Sequence, residues 1–175
     1  MQCDHGVAFV SADVVIRCIY LSAGHNYFGH YGQPAGTHPT VSVASVHCRA
    51  GLGLEGDRFY GYRSSYKGQV TFFSWETFEA AKRRFCCPEL SPDAFRRNVL
   101  VDGLDLASLI GRRFVLGAVE FEGTEEARPC EWMDQAVAPG AWQWLRGQGG
   151  LRAKILNDGD LAVGSVSLRL LEEVA

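Results

Sequence analysis

Between residues 14 and 171 the chain keeps returning to short runs of β-branched and aromatic residues, and only one stretch is long enough for a substantial helix. This rhythm constrains the fold most, because parallel doubly wound sheets need long crossover helices between their strands. Residues 14–20, 41–47, 68–73, 96–101, 114–121, 151–156 and 163–171 read as strands, with a glycine break inside 114–121 and an NDGD turn joining the last two. Ser74 is placed to cap a helix through Phe85, on which Trp75, Phe78, Ala81 and Phe85 form an apolar stripe. Shorter helical pieces follow at Ser91-Pro92, 105–110 and 141–146. About seven strands with a few short helices between them predict a mainly β fold closed into a barrel. Residues 1–13 read as an N-terminal extension and 14–175 as a single domain.

Composition sets limits on partners. A net charge of -3 argues against a nucleic-acid binder, which carries a basic surplus. No apolar run approaches the roughly 20 residues of a membrane span, and no basic segment precedes the first apolar residues as in a signal peptide. The six cysteines, at 3, 18, 48, 86, 87 and 130, contain no CxxC pair and no disulfide framework. A cytoplasmic protein with reduced thiols is the expectation. Only Lys67, Lys82 and Lys154 are lysines among the 17 basic residues. Arginine suits bidentate recognition of phosphates and carboxylates, although a compositional bias explains such a ratio equally well.

Three constellations carry possible chemistry. In GTEEARPCEWM at 123–133, Cys130 follows a rigid proline and an arginine and precedes a candidate helix start, all of which favour an exposed thiolate. Glu125, Glu126 and Glu131 oppose activation unless they face away, and a buried core cysteine is the alternative. The long loop after the first strand holds His25, His30 and His38. These either converge on a metal such as zinc or act as hydrogen-bonded supports, with His25 and Asn26 the residues expected to meet a ligand. Asp57-Arg58 and Arg96-Arg97-Asn98 stand at strand edges, where they can bind an anion or form an internal salt bridge. As strand neighbours, Arg96 and Arg97 are expected to face opposite sides. The glycine-rich segment 147–150 is either a plain turn or a nest of backbone N–H groups for an anion.

Four segments together resemble the MOSC domain, found at the C-terminus of molybdenum-cofactor sulfurases and as stand-alone proteins. They are GLGLEGDRF at 51–59, KGQVTFF at 67–73, FRRNVLVDGLDLASLIGRRFVLGAVEFEGTEEARPCEWMD at 95–134, and GGLRAKILNDGDLAVG at 149–164. The resemblance implies a β-barrel of the pyruvate-kinase type and a link to the molybdenum cofactor, molybdopterin. It carries the family's functional cysteine onto Cys130, its RRN motif onto Arg96, Arg97 and Asn98, and its GDR turn onto Asp57 and Arg58. Two activities follow from the resemblance. One is reduction of small N-hydroxylated compounds with Cys130 as molybdenum ligand; the other is a carrier role with a persulfide on Cys130. Many relatives have histidine after GDR, whereas this chain has Phe59. No ferredoxin-type cysteine set is present, so electrons are expected from a separate donor protein. Likewise the chain has no room for a pyridoxal-phosphate desulfurase domain, so sulfur is expected from a separate donor.

Overall fold

The structure, a computed structural model, describes residues 11–30 and 32–171. Its strands are β1 (Ser11–Leu21), β2 (Val41–Val43), β3 (Ser45–Arg49), β4 (Gly53–Leu54), β5 (Val70–Ser74), β6 (Val99–Asp102), β7 (Arg113–Leu116), β8 (Val119–Glu126), β9 (Leu151–Ile155), β10 (Gly159–Ala162) and β11 (Gly164–Leu171). Helices are α1 (Trp75–Arg84) and the single turns α2 (Met133–Ala136) and α3 (Ala141–Trp144). None of them is long and apolar enough to cross a membrane. The main sheet runs β11-β7-β8-β9-β5-β6-β1-β2, and a β11–β1 pairing closes seven of these strands into a barrel. Closure removes the unpaired edges an open sheet would expose. All barrel pairings are antiparallel except β5 with β6, which are linked through α1. A small second sheet, β10-β3-β4, lies outside the barrel strands.

Side-chain alternation places two cores on either side of the same strands. Phe72 of β5 and Val99 and Val101 of β6 point into the barrel. There Phe72 meets Phe114 and Phe121 edge-on, with ring centroids 5.9 and 5.3 Å away. Their neighbours Phe73 and Leu100 point outward into a second core beneath α1, where Phe73 stacks on Phe95 at 4.6 Å. Helix α1 starts where the sequence places it: the Ser74 hydroxyl accepts the Thr77 N–H at 3.1 Å.

Several boundaries move for identifiable reasons. β1 begins at Ser11, inside the stretch read as an extension; residues 1–10 lie outside the described region. The run 41–47 splits at Ala44, whose carbonyl accepts the Val163 N–H, so β2 joins the main sheet and β3 the small one. The segment 114–121 is a hairpin, turning at Gly117 with φ +65°. The strand expected from Arg96 starts only at Val99, because Arg96 is left-handed, φ 53°, at the end of a one-turn helix, Pro92–Phe95. Alternation therefore does not govern Arg96 and Arg97.

The junction of β1, β5 and β6 is fixed by a buried polar group. Asn98 uses its whole amide: Oδ1 accepts from the Thr71 N–H and hydroxyl, at 3.1 and 2.9 Å, while Nδ2 donates to the Tyr20 carbonyl and to Asp57 Oδ2. Asp57, with a side chain only 1% exposed, also accepts the N–H groups of Ser22 and Phe59. These bonds tie the 57–59 turn and the end of β1 to the start of β6.

Replacing Asn98 by Leu removes the amide's bonds to Asp57, Thr71 and the Tyr20 carbonyl in a buried site, at an expected cost of about 2–3 kcal/mol in urea unfolding. Gly123→Ala is expected to cost about 2 kcal/mol in the same measurement, since a Cβ there collides with the Leu109 carbonyl.

Candidate functional site

Segments leaving β1 and β8 and the turn entering β6 line one cleft of ≈ 620 Å³, to which β5 and β9 add Thr71 and Arg152. Among the described residues, five arginines face it, Arg58, Arg96, Arg97, Arg128 and Arg152, against a single lining carboxylate, Glu131. Cys130 opens into the same cleft and is exposed.

The arginines differ in how they are held. Arg96 donates to Thr40 Oγ1 and the Gly24 carbonyl, both at 3.3 Å, and its guanidinium lies 5.4 Å over the Tyr27 ring. Among the described residues it has no carboxylate within ion-pair distance. Arg58, 12% exposed, stands 3.5 Å from Asp57 and 5.0 Å over the Phe59 ring. Arg97 donates to three backbone carbonyls: Gly149 at 2.9 Å, Phe95 at 3.2 Å and Ala127 at 2.6 Å. Desolvation, followed by repulsion from Arg152, pulls the Arg97 pKa down to about 10. It still carries its charge at neutral pH, and it straps the 127–130 segment to the 147–150 loop. Burial, then the neighbouring Arg58, lowers the Arg96 pKa; burial also leads the lowering at Arg58. The cleft is therefore electropositive, with more guanidinium than counter-charge.

Two of the glutamates around Cys130 are engaged elsewhere. Glu125 bonds to Lys67 at 2.5 Å and Arg152 at 3.0 Å. Glu126 Oε1 accepts the N–H groups of Gly147 and Gly149, at 2.9 and 3.1 Å. The glycine-rich segment is thus a nest whose anion is this chain's own side chain. Gly149 cannot be replaced without conflict, since a Cβ would sit 2.5 Å from the Ala127 carbonyl and 2.8 Å from Pro129 Cδ. Glu131 alone remains exposed in the cleft. The helix expected after Cys130 is only the single turn α2, so the positive surroundings of the thiol come from arginine side chains rather than a helix dipole.

The sequence-selected residues fall into two layers. His25, Asn26, Arg58, Arg96, Arg97 and Cys130 line the cleft, and Asp57 and Asn98 form the hydrogen-bonded support beneath it. Arg96 and Arg97, expected on opposite sides, both reach the cleft. The Asn26 side chain pairs with both backbone groups of His38, at 2.8 and 2.9 Å, and thereby holds its own loop closed. His30 is bonded to the Pro34 carbonyl. Among the described residues no three His, Cys, Asp or Glu side chains gather as a metal set, so the three loop histidines do not converge on a zinc site. Sequence reasoning missed the aromatic walls, Tyr27 against Trp132 at 4.9 Å and Phe59 stacked on Tyr66 at 5.4 Å. It also missed Arg152, which the alternation of Leu151, Ala153 and Ile155 into the core would have turned outward.

The chain's overall architecture is shared with solved structures. The YuaD protein of Bacillus subtilis superposes with a TM-score of 0.72 at 16% identity, covering 94% of this chain and 100% of that one. YiiM from Geobacillus stearothermophilus gives 0.66 at 18% identity, covering 91% and 75%. YiiM from Escherichia coli gives 0.62 at 20%, covering 90% and 71%. At these identities the likeness shows the fold. No curated protein sequence matches the chain. A family model described as MOSC domain matches residues 28–166, which include the buried Asp57–Asn98 support, Cys130 and the cleft lining apart from His25, Asn26 and Tyr27, and the chain belongs to the MOSC domain family.

Proposed function

We propose that this protein binds the molybdenum cofactor in the cleft and reduces small N-hydroxylated compounds, with Cys130 as the molybdenum ligand. The observation that carries this reading is one exposed thiol sharing a cleft with five arginines and a single carboxylate. The donor set fits a phosphorylated pterin carrying a soft metal. Thiolate sulfur suits molybdenum, guanidinium groups suit a phosphate, and ring faces suit a planar heterocycle. Membership of the MOSC family, which binds the molybdenum cofactor in general, supports the same choice.

Arg58, Arg96 and Arg97 would bind the phosphate, with Asp57 and Asn98 holding the turn that carries Arg58. The aromatic pairs Tyr27–Trp132 and Phe59–Tyr66 would flank the planar ring. The strap from Arg97 to Ala127 and Gly149 would keep the Cys130 segment in register with the phosphate end. When bound, the cofactor supplies the two-electron chemistry that removes oxygen from an N-hydroxyl group. Electrons would arrive from a separate donor protein, and the exposure of Cys130 leaves the reacting end open to a small-molecule substrate.

That exposure also supports a second reading, a carrier that holds a persulfide on Cys130 for delivery to the cofactor. An open thiol is what a separate sulfur donor needs for access.

Protein made in a host that synthesises the cofactor is expected to contain molybdenum and to reduce an N-hydroxylated base when given an electron donor. Cys130→Ser is expected to lower that rate at least about 100-fold, the scale for loss of a metal-tuning contact or more. Full activity in Cys130→Ser sinks the reductase reading, and cyanide-releasable sulfur without molybdenum favours the carrier. Arg96→Met, which removes a guanidinium and leaves Cys130 in place, is expected to reduce molybdenum content measured by elemental analysis.

A further inference from the structure

The side chain of His25 lies at the Arg58–Arg96 end of the cleft and has an unusual set of neighbours. Its ring packs edge-on against Phe59, with centroids 5.0 Å apart, and tilted against Phe28 at 5.3 Å. Neither neighbour offers a hydrogen-bonding group, and among the described residues the ring nitrogens have no hydrogen-bond partner. The charged and titratable groups that act on it are Arg58, Arg96, His38 and Asp57. Asp57, the sole carboxylate among them, is already engaged by the Ser22 and Phe59 N–H groups and the Asn98 amide. This is an imidazole in a cationic corner, held by aromatic contacts and with its polar atoms uncommitted.

We propose that His25 makes binding of a doubly charged tetrahedral anion at the Arg58–Arg96 end proton-linked: the imidazole takes up one proton from solvent as the anion enters. The inference rests on the phosphate reading of this end given above and adds a partner that senses the ligand's second charge. Before binding, desolvation first, and then Arg58 and Arg96, hold the His25 pKa below its ordinary value, so the ring is neutral at pH 7. A dianion between the two guanidinium groups reverses the local field, so the imidazolium becomes the favoured form and its N–H donates to the anion. No bond is made or broken beyond that proton transfer. Because the bound pKa exceeds the free one, affinity is flat above the bound pKa. It rises as pH falls from the bound pKa to the free pKa, and then levels off.

Sulfate is the cleanest probe, since it stays doubly charged from pH 8 to 5.5 and any change in its affinity belongs to the protein. Titration calorimetry in two buffers of different ionisation heat reads proton uptake directly. The wild-type chain is expected to take up a fraction of one proton near pH 7. It should bind sulfate about tenfold more tightly for each unit by which the anion raises the His25 pKa. His25→Gln is expected to bind sulfate with no uptake and a flat pH profile, whereas His38→Gln retains both effects. Sulfate bound by the wild type with no uptake and a flat profile overturns the proton linkage alone, as does uptake that persists in His25→Gln. Absence of any sulfate or inorganic phosphate binding overturns this proposal together with the phosphate reading on which it rests. Phenyl phosphate compared with inorganic phosphate identifies the source of the charge. Tighter binding of the ester supports a phosphate carried on a planar organic body. Equal binding points to free phosphate and overturns the cofactor reading while leaving the proton linkage standing.

Discussion

The hydrogen bond from Asn98 to Asp57 is the contact on which the architecture of the cleft depends. Asn98 stands just before β6 and Asp57 in the turn after β4, so the bond joins parts of the chain 41 residues apart. Both side chains are buried, and such groups cost heavily when left unpaired. Their satisfaction dictates where Arg58 and Arg97, their immediate neighbours in sequence, emerge. A buried neutral amide and a buried carboxylate thus place cleft-lining cations, and the positive character of the cleft originates one layer below its surface.

The electrostatics follow from which charges are neutralised. Glu125 and Glu126 lie within five residues of Cys130, yet one belongs to Lys67 and Arg152 and the other to two glycine N–H groups. Arg97 is spent on carbonyls, which stabilise its position without cancelling its charge. Among the described residues Arg96 has hydroxyl, carbonyl and ring contacts and no ion pair. Two of the three negative charges near the thiol are engaged elsewhere while the positive charges are kept, which is the condition for holding an anion beside a thiolate.

Much of this was legible in the chain and some was not. The short β-rich runs announced the barrel, and the capping serine at 74 marked α1, because both signals are local. The resemblance picked out Cys130 and the two polar motifs. Splitting of the run 41–47 between two sheets was not legible, since it depends on a carbonyl at Ala44 meeting an N–H at Val163, more than a hundred residues away. The same holds for Arg96, whose left-handed backbone cancels the strand alternation that its sequence context implies. The layering of Asp57 and Asn98 beneath the arginines required the tertiary structure, because polar residues of a motif look alike in sequence whether they meet a ligand or each other.

The nest at Gly147–Gly149 lies outside the cleft lining and is joined to it through Arg97, which reaches from the cleft to the Gly149 carbonyl. Backbone N–H groups give an anion the same welcome whatever the side chains around them, so a vacant nest would fix one binding preference permanently. With Glu126 seated there the nest is closed to an outside anion, and the cleft itself is lined by arginine, aromatic and imidazole side chains, each of which a single codon change can alter. The chemistry of the cleft therefore resides in side chains that can be replaced without altering the backbone of the barrel beneath it.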